Sequence, residues 1–323
     1  MAIFEITAEN IVRAADLLCA GGLIAFPTET VYGLGANAFD VHAVAQIYTA
    51  KGRPSNNPLI VHVADMEAAV GLVSRWPDTA SRLAEEFWPG PLTLVLPRGD
   101  CVPDITAAGG PTVAIRVPAH RVARQLLEAA DIPIAAPSAN RSGEISPTTA
   151  VHVDRSLGER VTMILDGGPT TAGIESTVVD LSGDIPRLLR PGPISLARLS
   201  AILGEILLPH APSDMRSSLP SPGMLSRHYA PRTPLEVFDS SDLFAHRRRN
   251  LRAEGRRVGI LDLSGRNVPQ VEAGLYAAMH ELDADGYEHL ICLLPPDTAE
   301  WLAVRDRLTR ASRPHSPAQE DRL

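Results

Sequence analysis

The sequence predicts an α/β protein of two units: a larger one built on a mixed, open, twisted sheet with helices, and a small C-terminal one wound as a doubly wound parallel α/β domain. Three observations carry this. Apolar runs of strand length alternate with stretches of helical spacing along most of the chain. Its 323 residues exceed one ordinary domain. Between Pro209 and Pro234 the composition changes to Pro, Ser, Gly and charge, the mark of a linker. The expected division is a first unit over 1–208, a linker over 209–233, a second unit over 234–312 and a disordered tail over 313–323.

Taken in order, Ile11, Ala14, Ala15, Leu18 and Cys19 fall on one face of a helix over 8–20, stopped by Gly21 and Gly22. Leu23 to Phe26 reads as a strand, and Pro27 to Gly35 as a loop too rich in hydroxyls and glycine for a core. In that loop Gly33 and Gly35 let backbone approach a ligand, and Thr28, Thr30 and Tyr32 offer hydroxyls. Asp40 caps a helix through Ala50 that delivers Lys51 and Arg53 at its end. A strand over 59–63, helices over 65–73 and 77–88, strands over 92–96 and 112–117 and a helix over 119–130 follow. The apolar run from Ile132 empties into Ser138-Ala139-Asn140, and strands over 162–166 and 177–181 and a helix over 194–203 complete the first unit. Pairs near 92–117 and 162–190 are connected tightly enough for antiparallel hairpins, so the sheet is expected to be mixed. In the second unit, strands over 235–238, 257–263 and 287–293 alternate with helices over 241–254, 268–284 and 297–311. No catalytic cluster is expected there.

Composition excludes several functions. A net charge of −8 and only 4% aromatic residues argue against a protein that lives by neutralising phosphates or stacking bases, so nucleic acid is expected to touch it at most indirectly or weakly. Three scattered cysteines without a C-x-x-C give neither a disulfide framework nor a cysteine metal site. With no basic n-region and no apolar run of spanning length, a cytoplasmic protein without a membrane partner is expected.

Polar residues in the loops define a candidate site. Lys51-Gly52-Arg53-Pro54 places two cations one residue apart on a turn, either as solvated surface charge or as an anion grip in which Arg53 supplies a planar fork and Lys51 a compact charge. As loop cations they are expected to be dispensable for the fold. Arg116 and Arg190 add charge near strand ends, Thr30, Ser138 and Ser176 hydroxyls, and Asn57 and Asn140 amides. His62, inside a strand, is either a core residue or a ligand contact. Several cations with few carboxylates suit a polyanion, as in attack on the α-phosphate of ATP with pyrophosphate leaving. Gly33-Leu34-Gly35-Ala36-Asn37-Ala38 imitates a dinucleotide fingerprint but lacks the acidic residue that should follow, and no P-loop occurs. In the linker, adjacent His228 and Tyr229 point to a lid rather than a bare tether.

The segments Pro27-Thr28-Glu29-Thr30-Val31-Tyr32-Gly33-Leu34, Lys51-Gly52-Arg53-Pro54, Pro137-Ser138-Ala139-Asn140 and His228-Tyr229-Ala230-Pro231, in this order, resemble the YrdC family. The chain is similar in particular to its longer members, the threonylcarbamoyl-AMP synthases with a linker and a small C-terminal Rossmann-like domain, and the likeness runs to about residue 312. It departs from them at Leu225-Ser226, where basic and aromatic residues are common. The resemblance implies a YrdC-like fold and a nucleotidyltransferase that joins L-threonine, bicarbonate and ATP into threonylcarbamoyl-AMP and pyrophosphate. Partner proteins then carry the threonylcarbamoyl group to tRNA. It implies Lys51 and Arg53 as catalytic residues, and Thr30, His62, Arg116 and Ser176 as threonine contacts. Arg53, Asn57, Thr112, Ala136, Ser138, Asn140, Arg190 and Tyr229 would contact ATP, with magnesium carried by the phosphates and no protein metal site. A carbamoyl-adenylate-forming relative and a non-enzymatic double-stranded RNA binding module are the competing readings.

Overall fold

In the computed structural model, which describes residues 3–208 and 227–314, the short apolar stretches of the first unit pair into one mixed sheet of ten strands. They are β1 (Ile3–Glu5), β2 (Ile24–Pro27), β3 (Tyr32–Asn37), β4 (Ile60–His62), β5 (Leu92–Pro97), β6 (Thr112–Arg116), β7 (Ile134–Ala135), β8 (Met163–Asp166), β9 (Thr177–Asp180) and β10 (Arg187–Arg190). Their spatial order is 1, 8, 2, 3, 7, 4, 6, 5, 9, 10. Of the two expected hairpins, β5 with β6 is present as an antiparallel pair, but the strands over 162–166 and 177–181 do not pair: β8 runs parallel with β1 and β2, and β9 lies between β5 and the antiparallel β10, a strand not expected from the sequence.

Helices cover both faces. On one, α1 (Ala8–Cys19) and α5 (Arg121–Ala130) pack with Phe26, Ile134 and Leu165. On the other, α2 (Val41–Lys51) and α6 (Ala150–Leu157) bring Val44, Ile47, Val153 and Leu157 against Leu34, Val61 and Ile164. α3 (Met66–Val70) is a single short turn, and α4 (Asp78–Phe87) and α7 (Leu196–Leu203) close the edge at β9 and β10. The α2 start follows the expected chemistry, since the Asp40 carboxylate accepts from the N–H groups of His42 and Ala43.

One expectation fails. The second half of the glycine-rich loop is strand β3, fully inside the sheet and antiparallel to β2. Its Gly35 answers to packing and not to a ligand, because a Cβ there would lie 2.8 Å from Phe26 and Ile134. Only Thr28 to Val31 remain as the turn. The segment 209–226, which contains most of the linker and Leu225-Ser226, lies outside the described residues, as does 315–323 of the tail. Among the described residues no helix is long and apolar enough to cross a membrane.

The second unit holds β11 (Leu235–Phe238), α8 (Ser241–Ala253), β12 (Val258–Leu261), α9 (Val268–Ala284), β13 (His289–Leu293) and α10 (Leu302–Ala311), with its three strands parallel in the order 11, 13, 12. Its core of Leu235, Leu261, Val271, Leu275, Met279 and Leu308 is continuous with Val31, Ile145 and Ile174 of the first unit and with Tyr229. At roughly 1.5–3 kcal/mol per buried branched side chain, these three first-unit residues alone make docking of the units strongly favourable.

A second seam between the units encloses a cavity of about 410 Å³ lined by Pro191 to Leu196 on one side and by α9 and α10 on the other. Glu272, 8% exposed, faces it. Burial raises its carboxyl from 4.5 to about 7, with Arg307 pulling weakly the other way. The folded chain therefore binds the proton more tightly than the unfolded one, and stability falls as pH rises from 4.5 through about 7. Glu272→Gln is expected to melt higher than the parent at pH 8 by up to about 3 kcal/mol and to match it near pH 4.5. Melting curves at the two pH values check this, and an equal difference at both would remove the carboxylate as its cause.

Candidate active site

His62, Arg116 and Arg190 are the last residues of β4, β6 and β10, and Ser176 immediately precedes β9. β4 and β6 run parallel with His62 paired to Arg116, so both side chains leave the same face. The turn between β2 and β3 reaches over it. Every nitrogen of Arg116 is engaged: Nε donates to the Gly90 carbonyl at 3.1 Å, Nη1 to Thr30 Oγ1 at 2.9 Å, and Nη2 pairs with Glu29 Oε1 at 2.6 Å. A carboxylate arriving here meets an arginine it must share with Thr30 and Glu29, not the free fork that the sequence suggests. Beside it, burial and then the charge of Arg116 push His62 down to about 3, so the ring is neutral, and among the described residues its Nδ1 has no hydrogen-bond partner. Ser176 Oγ accepts from Arg190 Nη2 at 3.0 Å and is hydrogen-bonded to the Thr93 hydroxyl at 2.7 Å.

The cations at the end of α2 are buried, which corrects the expectation of dispensable loop charges. Gly52, with φ of 59°, turns the chain out of the helix. Lys51 then runs inward, 3% exposed, and its ammonium donates to the carbonyls of Ser138, at 2.5 Å, and of Asn140. It staples the Ser-x-Asn tip to the helix. Burial, and after it Arg53, lower its pKa well below that of a free lysine. Arg53 folds back on its own turn, giving Nε to the Asn57 carbonyl at 3.1 Å and Nη2 to Asn57 Oδ1 at 2.7 Å and the Pro58 carbonyl at 2.8 Å. Burial brings this guanidinium down to about 10.

The described end of the linker closes the site. His228 lines the cleft, and its ring sits 4.1 Å from that of Tyr229, which stacks on Tyr276 at 5.7 Å and lies under Arg307 at 5.1 Å. Tyr229 is fully buried with φ of 63°, a backbone conformation that a bulky residue keeps only when its surroundings impose it. Among the described residues, the Tyr229 hydroxyl and His228 Nδ1 have no hydrogen-bond partner.

Thr30, Arg53, His62 and Arg116 line one cavity together with Ala136, Ser138, Ser176 and Arg190. Lys51, Asn57 and Asn140 stand behind this wall, and Tyr229 stands behind His228. Thr112 is not in it, because it opens β6 while Arg116 ends it, about 13 Å along the strand. The Ala136 N–H is already given to the Ile60 carbonyl. Sequence reasoning missed Glu29 and Glu175, whose carboxylates hold the arginines. It also missed Arg307 and Tyr276, which the second unit, thought to hold no site residue, inserts beside Tyr229. One sequence signal was there to be used: of the 30 lysines and arginines in the chain, Lys51 is the only lysine. Among the described residues, no three His, Cys, Asp or Glu side chains gather as a metal site.

The cavity that remains is about 40 Å³, little more than the space of one water. A nucleotide needs several hundred. The cleft in this conformation is therefore narrower than a nucleotide requires.

Comparison with known proteins accords with this geometry. Residues 16–192 match the Sua5–YciO–YrdC family model, described as telomere recombination, and residues 194–313 match the model of the threonylcarbamoyl-AMP synthase C-terminal domain. The chain is 44% identical to the threonylcarbamoyl-AMP synthase of Bacillus subtilis, covering 94% of this chain and 93% of that one. With that of Pyrococcus abyssi it is 41% identical, over 93% of each. A crystal structure of P. abyssi Sua5 complexed with L-threonine superposes with a TM-score of 0.91 at 40% identity, covering 97% of this chain and 98% of that one.

Proposed function

The chain belongs to the Sua5–YciO–YrdC family in its two-domain form, and from that premise we propose that it is a threonylcarbamoyl-AMP synthase acting in the cytoplasm. The observation that carries this reading is an excess of buried positive charge. Lys51, Arg53 and Arg190 are at most 8% exposed, and among the described residues each hydrogen-bonds to neutral carbonyl, amide or hydroxyl groups, with the Glu175 carboxylate acting on Lys51 and Arg190 without a direct bond. Cations taken out of water need anions, and Arg53 and Arg190 lining the cleft, with Lys51 directly behind its wall, fit the polyphosphate of ATP.

Threonine occupies the side of Thr30, His62, Arg116 and Ser176. Its amine takes up bicarbonate with loss of water, giving an N-carboxylate. An oxygen of that carboxylate attacks the α-phosphorus, the bond to the bridging oxygen breaks, and pyrophosphate leaves with the electron pair. Arg53 and Arg190 face the charge that develops on the phosphates, and Lys51 holds the Ser138–Asn140 tip against it. Neutral His62 offers a ring nitrogen to the threonine side without adding charge. Magnesium entering with ATP would be held by the phosphates, since the carboxylates joined to cleft side chains, Glu29 and Glu175, are taken by Arg116 and Arg307. Transfer of the threonylcarbamoyl group to tRNA falls to partner proteins.

Pyrophosphate release that needs both threonine and bicarbonate, in the absence of RNA, is the expected result of a coupled phosphate assay. Release with carbamoyl phosphate replacing both would point to the carbamoyl-adenylate relative. Salt-sensitive RNA binding without turnover would point to a binding module.

A further inference from the structure

Three consecutive residues in front of Ser176 are held by the second unit. Gly173, with φ of +72°, lies so close to α9 that a Cβ would meet the carbonyl oxygens of Glu272 and Ala273 at 2.4 Å. Ile174, fully buried, joins the apolar cluster of Val271 and Leu275. Glu175 takes Ser146 Oγ at 2.5 Å on one oxygen, and the Tyr276 hydroxyl at 2.9 Å and Arg307 Nε at 3.1 Å on the other. The next residue is Ser176. Its hydroxyl and carbonyl hold Arg190 Nη2 and Nε, both at 3.0 Å, so the threonine side and the phosphate side of the cleft meet at this one residue.

Arg307 is fully buried on α10, and its guanidinium also lies against the ring of Tyr229. A buried arginine with a carboxylate of another element as its partner fixes the distance between those elements more strictly than apolar contact does, because the pair tolerates little change in geometry. From this splice we infer that Arg307 is a positioning residue for the adenylation step: by gripping Glu175, the docked C-terminal unit sets Ser176 and Arg190, and with them the alignment of the two substrates. This rests on the synthase reading above. The chemistry at risk is alignment, for which a displacement of about 1 Å costs up to about a hundredfold in rate.

The test uses the full-length chain carrying Glu175→Gln together with Arg307→Met, which removes both charges of the pair at similar volume; Asp306, the other carboxylate on Arg307, keeps its bond to Arg310. Expected is a fall in kcat of about thirtyfold with the KM values for threonine and ATP each within about threefold of the parent. Tyr276→Phe, which removes one hydrogen bond to Glu175 and nothing else, is expected to lower kcat about threefold in the same pattern. It stands in for the double variant should that one not fold. A lowered melting temperature with parental kcat in both variants overturns the inference, as does a rise in threonine KM at unchanged kcat. Failure of the parent itself to release pyrophosphate would instead overturn the synthase reading, so the two are told apart.

Discussion

Lys51→Ala is expected to lose about a thousandfold in turnover and to melt lower than the parent, and the two losses have separate causes. The ammonium is buried and bridges the carbonyls of Ser138 and Asn140, so its removal leaves one buried and one partly buried acceptor without this donor. At about 1–3 kcal/mol for each such orphan, the fold loses a few kcal/mol. Turnover falls further because the Ser-x-Asn tip then has no fixed distance from Arg53, one of the two cations that face developing phosphate charge. Lys51→Arg separates these effects. Charge is kept, but a planar fork longer than the lysine cannot converge on two carbonyls in the same space, so it restores less than a tenth of parental turnover. Circular dichroism, melting and initial rates of pyrophosphate release check all three statements. Parental rates in Lys51→Arg would mean that the site needs only a charge here.

The use of a single lysine at this point is consistent with that argument. Everywhere else the chain meets its need for positive charge with arginine. An ammonium can approach two carbonyls within one turn of backbone, and its pKa yields to burial where a guanidinium resists. This was readable from the amino-acid sequence before any fold was known.

Other parts of the site were legible for local reasons. The α2 cap at Asp40, the Gly52 turn and the α9 span of 268–284 with its Asn267–Gln270 capping box are signals written within a few residues. Strand β3 was hidden because glycine ordinarily weakens a strand, and the reason for Gly35 is Phe26 on the neighbouring strand, which no local pattern announces. β1 and α6 were hidden by their length, since three residues of strand and two turns of helix carry too little periodicity to stand out. Least legible was the ion pair of Glu175 and Arg307, 132 positions apart. Each residue alone looks like ordinary surface charge, and only the packing of α10 onto the β9 approach turns them into a buried pair.

Tyr229→Ala is expected to uncouple the reaction: pyrophosphate release continues, but intact threonylcarbamoyl-AMP captured by chromatography falls about tenfold or more relative to it. The parent holds this tyrosine in a strained backbone conformation, stacked on Tyr276 and under Arg307, with the neighbouring His228 ring forming part of the cleft wall. Such strain persists where the surroundings over-determine it, and here they come from the second unit. The cavity of about 40 Å³ is too small for a nucleotide, and on this prediction the segment is the part that opens to admit ATP and closes again before the adenylate meets water. A carbamate adenylate is destroyed by water, so a site that does not reclose releases pyrophosphate and loses the product. Alanine removes the ring that draws the segment back, at about 3–5 kcal/mol of packing, while Tyr229→Phe keeps the stack and is expected to keep the product. His228→Ala, which removes part of the wall but not the anchor, should fall between them. Parental product yield from Tyr229→Ala would leave the segment a tether and place the exclusion of water elsewhere in the cleft.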